Sequence, residues 1–142
     1  MRKFWKKYSS GLAFILCVAV IAGIYGYREY TRELPDTKEL MADYNLKAAD
    51  LVRRFETNED SANSQYNDRV ITVHGIISAV QVTDSSGTVF LNEGSSLASV
   101  MCQFDQENLP GILELQKGAE ITIKGVCSGY LFDVILLRCV LE

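Results

Sequence analysis

The chain has 142 residues, a net charge of −4, two prolines, ten glycines and four cysteines, which excludes collagen-like and disordered classes and fits one domain with an appendage. The charge is unevenly divided: residues 1–32 hold six Lys/Arg and one Glu (+5), and residues 33–142 hold eight Lys/Arg and seventeen Asp/Glu (−9). So acidic a folded part argues against binding a phosphate backbone, where affinity comes largely from Lys/Arg neutralisation and counterion release.

Arg2, Lys3, Lys6 and Lys7 precede a charge-free run from Tyr8 to Tyr27. As a helix at about 1.5 Å per residue, that run spans roughly the 30 Å hydrocarbon core of a bilayer. Trp5 and Tyr8 flank one end; Tyr25, Tyr27 and Tyr30 flank the other, where interfacial aromatics belong. The four N-terminal cations put the N-terminus in the cytoplasm. The expectation is a single-pass anchor through residues 8–27, within a first segment 1–32. The competing reading is a cleaved signal peptide with Val20-Ile21-Ala22 at its cleavage site. Phe14-Ile15-Leu16 before Cys17 lacks the small residue a lipobox places ahead of its cysteine. Both readings put the rest of the chain outside the cytoplasm, membrane-held in one case and secreted or periplasmic in the other. Disulfides are permitted there.

Residues 33–68 read as a helical stalk. Pro35 separates it from the anchor, and Asp36 with Glu39 resembles a capping box. Leu40, Tyr44, Ala48, Leu51 and Phe55 recur at helical spacing, which predicts an amphipathic helix from Thr37 to Glu56 docked on the barrel. Asn58 can cap a short helix through Tyr66, and Asn67-Asp68 is turn chemistry.

Residues 69–142 read as five strands and one helix. The first strand, Arg69 to Val80, is β-branched almost throughout and broken by Gly75, the pattern of a bent strand serving both halves of a small barrel. Thr88–Asn92 and Ala98–Phe104 come next; Val100, Cys102 and Phe104 share a face. A helix from about Asp105, with Pro110 in its first turn, ends at Lys117-Gly118. Glu120–Cys127 alternates cleanly, Ser128-Gly129-Tyr130 is expected to turn it, and Phe132–Leu141 closes the set. Three strands, a helix and two strands, opened by a bent strand, describe a mainly β fold with helices: a five-stranded Greek-key OB barrel.

The runs VITVHGIIS, VFLN, VMCQF and LQKGAEITIKGVCSGYLFDVILLRCVL, preceded by NEDSANSQYNDR, resemble the tRNA_anti-like family of OB-fold domains found in bacterial membrane and secreted proteins. The resemblance covers roughly residues 45–142, leaves the anchor outside, and is most specific in its last segment. It implies the fold and the location. The family name records a relationship to anticodon-binding OB domains rather than an RNA-binding activity, and it implies no site residues.

Candidate chemistry is sparse. His74 is the chain's one histidine, and no nucleophile motif accompanies it. No Cys/His spacing or acidic loop suggests a metal, and no cofactor motif is present. Cys102 and Cys139 fall in strands that lie parallel and adjacent in an OB barrel. If any disulfide forms, that is the pair expected; the alternative is buried thiols acting as small apolar residues. Cys127 is expected beside the turn at the far end of the last strand, out of reach. Tyr130 and Phe132 flank the last hairpin, whose equivalent lines ligand clefts in OB folds, where exposed rings can stack on bases or sugars. The alternative for them is a core Phe132 under a Tyr130 lid. The expected function is a non-enzymatic binding or interaction module for a protein or small ligand. The second expectation is nucleic-acid or oligosaccharide binding on the open barrel face, with aromatics on the second and third strands in a neutral or basic patch.

Overall fold

The structure, a computed structural model, describes residues 2–30, 36–94 and 96–142, with side chains for 14–28 and for 36–142 apart from 95. It divides into two units, Met1–Leu34 and Pro35–Glu142. The first is one helix, α1 (Arg2–Tyr30). Its described side chains include exposed Phe14, Ile15, Leu16, Val18, Val20, Ile21 and Ile24. Among the described residues no helix is long and apolar enough to cross a membrane. The expected N-terminal tip and first aromatic belt lie among residues whose side chains fall outside the described set.

In the second unit the organising element is β2 (Val70–Val82). Its first half pairs antiparallel with β5 (Glu120–Leu131), Val70 through Ile76 facing Val126 through Glu120. From Ile77 it pairs instead with β3 (Ser86–Leu91), with a register shift between Ile77 and Ala79. β3 continues to β4 (Val100–Asp105), β4 lies parallel to β6 (Asp133–Leu141), and β6 returns antiparallel to β5. The ring β2-β3-β4-β6-β5 closes on β2, so the expected five-stranded barrel is present. Alternation along the strands turns Val73, Ile77, Val89, Leu91, Cys102, Phe104, Ile123 and Leu136 inward, all at most 1% exposed. A 3-10 turn, Gln106–Asn108, and the short α4 (Leu109–Leu113) cover one opening with Ile112. The predicted helix running on to Lys117-Gly118 stops four residues sooner, because the chain there turns back to β2, Gly118 N–H donating to Ile77 O at 2.8 Å.

β5 and β6 hold two irregularities. Opposite Gly125 the register shifts, so that Lys124 faces Val140 while Val126 faces Leu137. Arg138 there adopts φ 51, as an extra residue in a bulge does. A Cβ on Gly125 would lie 2.6 Å from Cys139 Sγ, so glycine lets the bulged strand close. The second concerns the hairpin. The sequence places a turn at Ser128-Gly129-Tyr130, yet β5 runs on to Leu131 and the chain reverses at Phe132. A bulge between Cys127 and Gly129, with Ser128 as the extra residue, carries the strand on through Gly129, which pairs with Ile135. Cys127 is therefore not at the far end of β6 but pairs opposite Leu136.

The largest departure lies before β2. Residues 37–56 do not form one helix. Asp36 caps a single turn: its Oδ1 accepts from Lys38 N–H at 3.1 Å and its carbonyl from Glu39 N–H at 3.0 Å. Tyr44–Lys47 then forms β1, parallel to Ile71–His74, and only from Ala48 does α2 (Ala48–Thr57) begin. The reason is an edge. β3 pairs with β2 only from Ile77, so the first half of β2 would expose backbone donors and acceptors on the side away from β5. β1 satisfies them, extended by Asp43 N–H to Val70 O (2.8 Å) and Val70 N–H to Asp43 Oδ2 (3.1 Å). That pairing outweighs the helical phase of Leu40 and Tyr44. Leu51, Val52 and Phe55 of α2 cap the second barrel opening. α3 (Glu59–Tyr66) starts as expected, with Asn58 Oδ1 accepting from Ser61 N–H at 3.0 Å.

Candidate binding surface

The outward side of the barrel is read from its registers, since directly paired residues share a face. Ala79 faces Phe90, Phe90 faces Met101, and Met101 faces Ile135. These four make an apolar row across four strands, all half-buried. The next row, Gln81, Thr88 and Gln103, is uncharged. This is the face that binds oligonucleotides and oligosaccharides in other OB barrels. One aromatic, Phe90, stands on the second barrel strand; on the third, Phe104 faces inward and is buried.

The two residues singled out at the last hairpin separate. Tyr130 is half-buried and stacks on Phe55 of α2, centroids 5.8 Å apart and planes at 20°. Burial first, then the carboxylates of Glu56, Asp133 and Glu59, push its phenol above the ordinary value. Phe132 is 86% exposed and sits at φ 69, a backbone region a bulky side chain rarely enters. Leu131 beside it and Leu97 in the β3–β4 loop are also exposed. Asp133 joins hairpin and loop: its Oδ1 accepts from Ser99 N–H at 2.7 Å and Ser99 Oγ at 2.8 Å, and Val134 N–H donates to Ser99 O at 2.9 Å.

Cys102 and Cys139 are buried free thiols on the parallel strands β4 and β6. Burial pushes the Cys139 thiol well above its ordinary value, and the neighbouring Cys102 thiol adds to this; Cys139 Sγ donates to Leu136 O at 3.4 Å. Burial also raises Cys127. Thiols held up in this way stay protonated near neutrality and are poor nucleophiles. His74 faces away from them. Its Nε2 hydrogen-bonds to Asn45 Oδ1 at 2.5 Å and its Nδ1 to Thr122 Oγ1 at 2.7 Å. The amide oxygen can only accept, so Nε2–H donates to Asn45, while the threonine hydroxyl can meet Nδ1 as donor or acceptor. Among the described residues no three His, Cys, Asp or Glu side chains could share a metal.

Two features escaped the sequence. Lys124, 8% exposed, bridges Glu142 Oε1 (2.9 Å) and Lys38 O (3.3 Å), and Thr72 Oγ1 donates to Glu142 Oε2 at 3.2 Å. Its one signal is Lys124 within an alternating strand. A cleft of about 250 Å³ between α2 and α3 is lined by Arg53, Arg54, Asn58, Ser61, Gln65 and Tyr66; Arg54 Nη1 donates to Tyr66 Oη at 2.9 Å. Nothing local in the sequence pairs residues from two helices.

The model of the tRNA_anti-like family matches residues 3–141, so the match extends to the N-terminal segment as well as the barrel. None of the curated proteins compared matches the chain. Among solved structures, the chain is similar to a proposed nucleic acid-binding lipoprotein of Klebsiella pneumoniae: 18% identity, TM-score 0.59, covering 68% of this chain and 90% of that one. Yeast Stn1 and Ten1 match at 13% identity and TM-score 0.45, over 79% of this chain and 69% of theirs. An aspartyl tRNA synthetase of Entamoeba histolytica matches at 13% and 0.43, over 70% of this chain but 25% of its own. The Klebsiella likeness shows a shared fold.

Proposed function

From the premise that this chain belongs to the tRNA_anti-like family, we propose that it is a non-catalytic OB-fold binding module, held in a membrane by residues 8–27 and displayed outside the cytoplasm. The observation that carries the binding role is Phe132. A large ring is held almost fully in solvent, in strained backbone, at the tip of a hairpin whose root is packed on α2. Exposed apolar side chains on a rigid support make good contact sites, because little ordering cost remains on binding. Among the described residues, the strand thiols lie inside the barrel and His74 has hydroxyl and amide partners.

Support for the anchor comes from α1. Its exposed apolar side chains from Phe14 to Ile24 fit lipid better than water, and the uncharged run in the sequence, which begins at Tyr8, ahead of the described side chains, has the length a span needs. In an oxidising compartment Cys102 and Cys139, free thiols in this structure, are the pair expected to bond, read as an intact mass two hydrogens lighter that reduction restores. A second reading, nucleic acid or oligosaccharide on the Ala79–Phe90–Met101–Ile135 row, draws on the uncharged character of that face.

The test is fractionation of the full chain carrying a C-terminal tag. Alkaline carbonate is expected to leave it in the membrane, and protease added to spheroplasts is expected to remove the tag. Extraction by carbonate, or a protected tag, contradicts the proposal; a mature chain beginning after Ala22 substitutes the cleaved-leader arrangement.

A further inference from the structure

The end of the barrel that carries Leu97, Leu131 and Phe132 differs from the rest of its surface. Among the described residues of Pro35–Glu142, the exposed large apolar side chains are Met41, Ile76, Val82, Leu97, Leu113, Leu131 and Phe132. Three of these seven gather on two segments that Asp133 and Ser99 tie together. Three carboxylates lie near this end. Glu56 accepts from Ser96 Oγ at 2.5 Å, beside Leu97. Glu56, Asp133 and Glu59 all act on Tyr130, the residue before Leu131. The chain from residue 33 onward is also acidic as a whole, at −9.

We infer that this end is a docking surface for a cationic protein segment, which places basic side chains on Glu56, Glu59 and Asp133 and receives Phe132 in an apolar contact. The inference rests on the binding-module reading above and names the partner's chemistry. Charge decides between occupants. A nucleic acid or an anionic lipid surface would set phosphates against three carboxylates, and a second copy of this domain would set −9 against −9; like charges brought together cost free energy at an interface. A basic segment meets opposite charge around an apolar centre, the arrangement that fixes register and speeds encounter. Phe132 supplies the central anchor, an aromatic residue of the kind that dominates interface energetics. Its left-handed backbone is a strain glycine would relieve, and such outliers gather at ligand-contact sites.

The experiment uses the full chain in neutral-detergent micelles, followed by amide NMR. The probes are a lysine-rich peptide with one tryptophan, the same peptide with glutamate for lysine, a poly-dT oligonucleotide, and vesicles of phosphatidylcholine with or without phosphatidylglycerol. The lysine peptide is expected to shift the amides of 97–99 and 130–133. Phe132→Ser is expected to weaken it about tenfold and Glu56→Gln with Glu59→Gln about threefold, the latter with a flatter salt dependence. Phe132→Gly is expected to lose the peptide while raising Tm by about 5 °C, which separates lost contact from lost folding. Lysine-peptide shifts unchanged by Phe132→Ser overturn the inference, as do shifts at the tip caused by phosphatidylglycerol vesicles. Shifts by poly-dT at Phe90 and Met101, with none by the lysine peptide, overturn it and leave the binding-module reading standing. Silence from every probe at both surfaces counts against both.

Discussion

Phe132 and Gly75 occupy opposite situations. Phe132 keeps a side chain where the backbone prefers none; Gly75 lacks one where there is no room. A Cβ at Gly75 would lie 2.8 Å from Ala48 Cβ and 3.3 Å from Leu91 Cβ, at the point where α2 starts against the barrel. Gly75→Ala is therefore expected to cost about 1–3 kcal/mol through overpacking, read as a lower urea midpoint at unchanged slope. Phe132→Gly is expected to gain about 1 kcal/mol from relief of the left-handed conformation. Glu142 gives a pH-dependent effect. The hydrogen bond from Lys124 holds its carboxyl below 4.5, its ordinary value. A carboxylate depressed in the folded state stabilises above the unfolded value and loses that contribution as pH falls through the folded one. Its side chain is 38% exposed, so solvent screening limits the gain to below ~1 kcal/mol. Wild type and Glu142→Gln should differ in urea midpoint near neutral pH and converge in strong acid; a gap that widens in acid contradicts the assignment.

At the scale of elements, the strap before α2 decides whether β2 has a free edge. Leu46 of β1 pairs with Val73 and packs against the core. Leu46→Ala is expected to cost roughly 1–2 kcal/mol, less than a fully buried leucine, and to speed hydrogen exchange at Ile71–His74. Equal acceleration throughout β5 would show that β1 does not act on this edge. The same element marks where sequence reading stops. The β-branched run of β2, the inward trio Val100, Cys102 and Phe104, and the cap at Asn58 are local patterns, legible without a structure. The apolar spacing of Leu40, Tyr44 and Ala48 is equally local but misleading, because what forms β1 is the unpaired edge of a strand more than twenty residues away. The last hairpin fails for a related reason. Gly129 reads as a turn, but its φ of 107 serves a bulge, and the turn falls on a phenylalanine that no turn preference selects. So the sequence marks Phe132 as a candidate by its neighbourhood, while its strain and exposure belong to tertiary structure alone.

For the molecule as a whole, a basic N-terminal helix is joined to an acidic barrel. The topology proposed above rests on Arg2, Lys3, Lys6 and Lys7 ahead of the uncharged run, since it is Lys and Arg beside a span, not net charge, that set its orientation. The barrel is closed by helices at both openings, which leaves its outer face and its hairpin tip to meet partners. The direct test is Phe132→Cys in the otherwise intact chain, treated in whole cells with a membrane-impermeant maleimide. Cys102, Cys127 and Cys139 are buried, and the proposed anchor places Cys17 in lipid, so the unsubstituted chain gives a low background. A hairpin tip displayed outside the cytoplasm predicts rapid labelling at position 132 in intact cells without denaturant. Labelling only after lysis, or only after unfolding, would contradict it.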